Sequence, residues 1–132
     1  MIGIDTNVLL RFLVDDDPVQ NEMARRLLSS RTPVDPVFIS AVAIAETVWV
    51  LTRTLDYSVD IVCDMLRDLL ASDAVSIEYG DELGFLLGES QPKKAEIADY
   101  LIAWSAGRAG CSHTVTFDRR AARLVPSVEL LA

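Results

Sequence analysis

Four carboxylates stand out by their surroundings. Asp5 directly follows the apolar run Ile2 to Ile4, and Glu46 is the one acid in "FISAVAIAETVWVLTR". Asp99 sits within "ADYLIAWSA", and Asp118 closes the stretch "HTVTFD". Burying a carboxylate costs several kcal/mol unless it is paired or coordinates a metal. Taken singly, each acid has an ordinary reading. Asp5 can bond its own turn, Asp118 can cap a final helix, and Asp99 and Glu46 can be solvated helix residues. Taken together, two unit charges about 4 Å apart repel by about 4 kcal/mol at an effective dielectric near 20, so a cluster of four calls for a cation. An all-oxygen ligand set with open positions suits magnesium or manganese; zinc would want Cys or His. Such an ion activates water and neutralises a phosphate during in-line displacement.

Positioning four acids from four segments requires a fold that gathers chain turns at one edge. Short apolar runs at Ile2 to Ile4, "VFI", "VSI", "HTVTF" and "VELL" alternate with helical patterns. That alternation predicts an α/β fold in three layers, with a central parallel sheet of four to five strands flanked by helices. In such sheets the site lies beyond the carboxyl ends of the strands, at the switch point. Asp5 and Asp118 follow strands one and four, and Glu46 lies less than two turns into the helix after strand two. Helix starts are expected at Asp17–Pro18, Ser40 and Ser58, and Gly110 is expected to close the helix "KKAEIADYLIAWSAGRAG". Along it, Ala95, Asp99, Ala103 and Ala106 form a small-residue stripe that would hold Asp99 at the sheet rim. Met23, Leu27 and Leu28 are expected to face inward from the second helix, and Ile61, Val62, Met65, Leu66, Leu69 and Leu70 from the fourth.

The chain has 132 residues, 51% of them hydrophobic, as expected for a single domain spanning 1–132. No apolar run is long enough for a membrane span, and "MIGIDTN" lacks the features of a signal peptide, so a cytoplasmic protein is expected. Cys63 and Cys111 have no CxxC context and read as reduced structural thiols; His113, without ligand partners at spacing, reads as structural too. The net charge of −8 disfavours a general nucleic-acid coat protein but leaves an enzyme whose acids bind cations open. Arg11, Lys93, Lys94, Arg119 and Arg120 are placed to form a local basic rim around the acids. Apolar positions in "VLLRFLV" and "NEMARRLLSS" could offer a groove to an amphipathic segment.

The pieces "IDTNVLLRFL", "ISAVAIAETVWVL", "ADYLIAWSA" and "TVTFDRR" occur in an order that resembles the PIN-domain ribonucleases, and more narrowly the VapC-type toxins of type II toxin–antitoxin pairs. The resemblance covers nearly the whole chain. It implies a magnesium- or manganese-dependent endoribonuclease acting on single-stranded RNA, with Asp5, Glu46, Asp99 and Asp118 as the catalytic metal site. It implies Asn7 and Thr116 as polar residues that orient the acids, while Glu96 reads as structural. A small cognate antitoxin and a homodimer are the partners it implies. The alternatives are a PIN-fold nuclease outside such a pair and a receiver-like phosphotransfer protein. The receiver would need an acid pair after strand one and a lysine after its last strand, and the chain shows neither.

Overall fold

The computed structural model describes residues 1–88 and 96–131. The chain forms two compact units, Met1–Gly88 and Glu89–Ala132.

In the first unit, β1 (Ile2–Ile4), β2 (Val37–Ile39) and β3 (Val75–Ile77) pair in parallel in the order β1-β2-β3. Register aligns Ile4 with Ile39 and Ile39 with Ile77, so their carboxyl ends share one edge. The helices α1 (Thr6–Leu13) and α2 (Pro18–Ser29) join β1 to β2, and α3 (Ala41–Trp49) and α4 (Val59–Ala71) join β2 to β3. A parallel pair needs such a crossover. α5 (Gly80–Gly88) follows β3. Val37, Ile39, Leu9, Ile44, Leu51 and Leu66 are fully buried.

The expected helix starts are found. Asp17 accepts from the Gln20 N–H at 3.1 Å with Pro18 at the first helical position, Ser40 accepts from Ala43 at 3.1 Å, and Ser58 from Ile61 at 3.2 Å. α3 runs on into a π-helical stretch, Val50–Thr54, that periodicity did not indicate. Two inward assignments fail: Met23 is 65% exposed and Ile61 48% exposed. On α4 the inward stripe takes in Cys63 instead, because Val62, Leu66 and Leu69 already set the face.

In the second unit, α6 (Ile97–Arg108) is followed by β4 (Thr114–Thr116), α7 (Arg119–Leu124) and β5 (Val128–Leu130), with β4 and β5 parallel. α6 ends as expected at Gly110, whose φ of 98° is open to glycine. Gly110 N–H donates to Gly107 and Cys111 N–H to Ala106, each at 3.0 Å, which is the paired bonding of a Schellman ending. Cys111 itself is exposed, so a buried structural role does not apply to it.

The α/β class with parallel strands is as expected; among the described residues the strands pair as a sheet of three and a sheet of two, where a central sheet of four to five was expected. Each strand holds only three residues, so few ladder bonds define it, and β4 turns Val115 to an exposed face, 52% accessible. An aliphatic residue there does not read as a buried central strand. The start predicted for α6 at Lys93, Lys94 and Ala95 lies outside the described residues.

Candidate active site

In the first unit, Asp5 stands immediately after β1 and caps α1. Its backbone is extended (φ −91°, ψ 179°), and Oδ1 accepts the Val8 N–H at 3.0 Å. A carboxylate here satisfies an orphan amide and meets the positive end of the helix. Only one oxygen is used; Oδ2 has no hydrogen bond among the described residues.

Glu46 lies in the second turn of α3, and it is exposed rather than buried. Its Oε1 accepts a 2.8 Å hydrogen bond from the hydroxyl of Thr6, the residue next to Asp5. Two acids far apart in sequence therefore stand at one edge of the unit, joined through Thr6. Nothing in the spacing of the acids singles out Thr6; its signal was a hydroxyl between the acid and amide of "DTN". The same holds for Glu78, the acid just after β3, whose Oε1 accepts the Ala41 N–H at 2.7 Å and pins the start of α3. Tyr79, the next residue, adopts a left-handed φ of 58°, a strained conformation for an aromatic side chain.

A cavity of about 480 Å³ opens beside Asp5, between α1 and α2. Asn7 lines it, and the Asn7 amide has no hydrogen bond among the described residues. Arg11 lines it too, held by Nε to Gln20 Oε1 at 2.6 Å and by Nη1 to Asp16 at 3.0 Å.

In the second unit, Asp99 occupies the first turn of α6 and is half-buried. Its carboxyl is pushed above the usual range, first by burial and then by the negative charges of Asp118 and Glu96. A backbone hydrogen bond from Glu96 and the charge of Arg120 oppose that shift in part. Asp118 caps α7, with Oδ1 accepting from Arg120 N–H at 2.8 Å and Ala121 N–H at 3.1 Å. Its own N–H donates to Thr116 Oγ1 at 3.0 Å, which fixes the turn out of β4. Arg119 and Arg120 are exposed at the start of α7, while Lys93 and Lys94 lie outside the described residues.

Each unit thus carries a pair of the four acids. Within either unit alone, and among the described residues, no three acidic, Cys or His side chains form a ready metal cage. The donors suit a hard cation nonetheless: among the described residues Asp5 Oδ2 has no hydrogen bond, and Asp99 lies near the negative charges of Asp118 and Glu96, which Arg120 offsets only in part. His113 is turned to Ser112 and Glu129, and Cys63 is buried in α4, so neither joins the acids.

The ordinary reading of Asp5 and Asp118 as helix caps is therefore correct, each accepting its cap bonds through Oδ1. The chain belongs to the PIN domain family, whose pattern matches residues 2–125. That defines the class: a PIN domain implies a nuclease, a hydrolase acting on nucleic acid, and such nucleases typically use divalent metal ions. No curated protein matches the chain. No helix among the described residues is long and apolar enough to cross a membrane.

Proposed function

We propose that the chain is a magnesium- or manganese-dependent endoribonuclease cleaving single-stranded RNA, and the toxin of a toxin–antitoxin pair in the cytoplasm. In this reading Asp5, Glu46, Asp99 and Asp118 are the residues that ligate the cation. The observation that carries this reading is the Thr6 bridge from the Asp5 turn to Glu46. It brings two of the four acids to one edge, in a family of nucleases.

When bound, the ion supplies charge neutralisation at the phosphate and a lowered pKa for attacking water. The residues of the chain do the rest. Asp5 and Asp99 are the principal ligands, with Glu46 and Asp118 binding directly or through water. Thr6 holds the Glu46 carboxylate in one orientation, and Thr116 fixes the backbone of Asp118. Asn7 is an orienting amide beside Asp5. Arg119 and Arg120, with Arg11 on α1, give phosphates a local cationic contact in a chain of charge −8.

An intracellular ribonuclease needs restraint, and carboxylates of this kind attract arginine, whose fork matches them in two hydrogen bonds. The antitoxin is accordingly a small protein whose tail presents an arginine to Asp5 or Asp99. The resemblance extends to a homodimer.

The test is incubation with single-stranded RNA and manganese, with and without chelator. Cleavage that chelator abolishes supports the reading. Cleavage indifferent to chelator, or none by well-folded protein, overturns it. Co-purification with the product of an adjacent small open reading frame tests the partner, and inhibition that survives removal of every tail arginine contradicts the arginine contact.

A further inference from the structure

We propose that the cavity between α1 and α2 is a nucleobase subsite, receiving one unpaired base and its ribose beside the phosphate that is cleaved. The inference rests on the nuclease reading above and names where that enzyme holds its substrate.

The cavity, about 480 Å³, has the size of small-molecule sites. Asp5 is one of its walls and is also assigned to the metal. A phosphate held at Asp5 therefore has a flanking nucleotide within reach of the cavity. The walls suit a flat, largely apolar ring: Val8, Ala24 and Leu27 line them. Met23 lines the cavity as well and stands 65% exposed. A thioether is soft and polarisable and makes favourable contacts with π systems, so an exposed methionine at such a cavity gains from a stacked base.

The polar groups are suited to reading a base edge. Arg11 Nε–H can only donate, so the Gln20 atom facing it at 2.6 Å must be Oε1. That fixes the amide, whose N–H₂ has no hydrogen bond among the described residues. The Asn7 amide offers a donor and an acceptor in the same condition. Amide side chains recognise base edges with paired donor and acceptor contacts, and RNA is read by sequence chiefly where bases are unpaired. An amphipathic inhibitor helix would use the apolar walls but has no comparable need of two amides.

The experiment labels the methionine methyl groups of the intact chain and titrates it with each of the four ribonucleoside monophosphates. Met65, in α4, is the internal reference. The Met23 signal is expected to move with at least one nucleotide while Met65 stays, and Gln20→Ala should weaken that response about three- to tenfold, the effect of one hydrogen bond. On a randomised single-stranded RNA library, Gln20→Ala and Met23→Trp should alter the base preference at one position flanking the cut and at no other. A Met23 signal unmoved by all four nucleotides overturns the proposal, as does one that moves only with an amphipathic helical peptide. If Met23 responds but the wild-type chain cleaves no RNA, the subsite stands and the nuclease reading falls. If the chain cleaves RNA while Met23 stays unresponsive, the subsite falls and the nuclease reading stands.

Discussion

Asp5 and Asp118 each cap a helix with one carboxylate oxygen, and in the proposed site the other oxygen is left for the cation. Substitution by asparagine separates those functions, since Asn caps a helix about as well as Asp. Asp5→Asn and Asp99→Asn are therefore expected to lower RNA cleavage at least about 100-fold, on the scale of losing one electrostatic partner of a transition state, while circular dichroism and melting report an intact fold. Thr6→Val, which removes the 2.8 Å bond to Glu46, should lower turnover more mildly, and Thr6→Ser should restore it. Asp99 adds a pH dependence. Its carboxyl takes up a proton more readily in the fold than in the unfolded chain, because burial and the charges of Asp118 and Glu96 disfavour ionisation. Its contribution to stability is thus full below the ordinary carboxylate range and is lost as pH rises through the raised value. Without metal, Asp99→Asn should melt above wild type at neutral pH, and the gap should close as pH falls below the ordinary aspartate value of 3.8. A gap that is constant with pH would contradict this.

At the scale of elements, α3 positions Glu46 and shows where local chemistry is least settled. Ser40 and Glu78 together satisfy two of its first amides. One turn beyond Glu46 the helix widens into its π-helical stretch, and Thr47 is fully buried with a hydroxyl that has no hydrogen-bond partner among the described residues. A buried hydroxyl without a partner costs about 1–3 kcal/mol, and valine fills the same volume without it. Thr47→Val should raise stability by about 1 kcal/mol in denaturant melts, and a loss instead would mean that the hydroxyl is satisfied in solution. Helix starts were legible in the sequence because caps are local: Asp17, Ser40 and Ser58 act within three residues. Thr6 and Glu78 were not, because their partners lie 40 and 37 residues away and a single sequence carries no sign of that pairing. Burial failed for Met23 and Ile61 for a related reason. Periodicity marks an apolar face but not what covers it, and Met23 edges a cavity instead of a core.

For the whole molecule, the class was legible because short apolar strands alternating with helices admit few arrangements, and the order of the four acidic pieces pointed to the family. The division of the strands into three and two was not, since three-residue strands carry too little pattern to specify their neighbours. A nuclease of charge −8 must concentrate its cations where it meets nucleic acid, and Arg119 and Arg120 are exposed together at the start of α7. Replacing both with alanine should weaken RNA binding and flatten its salt dependence; an unchanged slope would remove them from the interface. Like charge among the acids should also make the metal a stabiliser. Binding to the folded state alone adds about 2.7 kcal/mol at one hundred times the dissociation constant, so the melting temperature should climb with manganese.

The central proposal is that Asp5 and Asp99 serve one cation, and calorimetric titration with manganese tests it most directly. Wild type, Asp5→Asn and Asp99→Asn would be compared under the same conditions. The account predicts one binding event, weakened at least about tenfold by either substitution, the scale on which perturbing a metal site lowers affinity. If Asp99→Asn binds manganese as wild type does while Asp5→Asn does not, the two pairs of acids do not share an ion, and the proposed site is wrong.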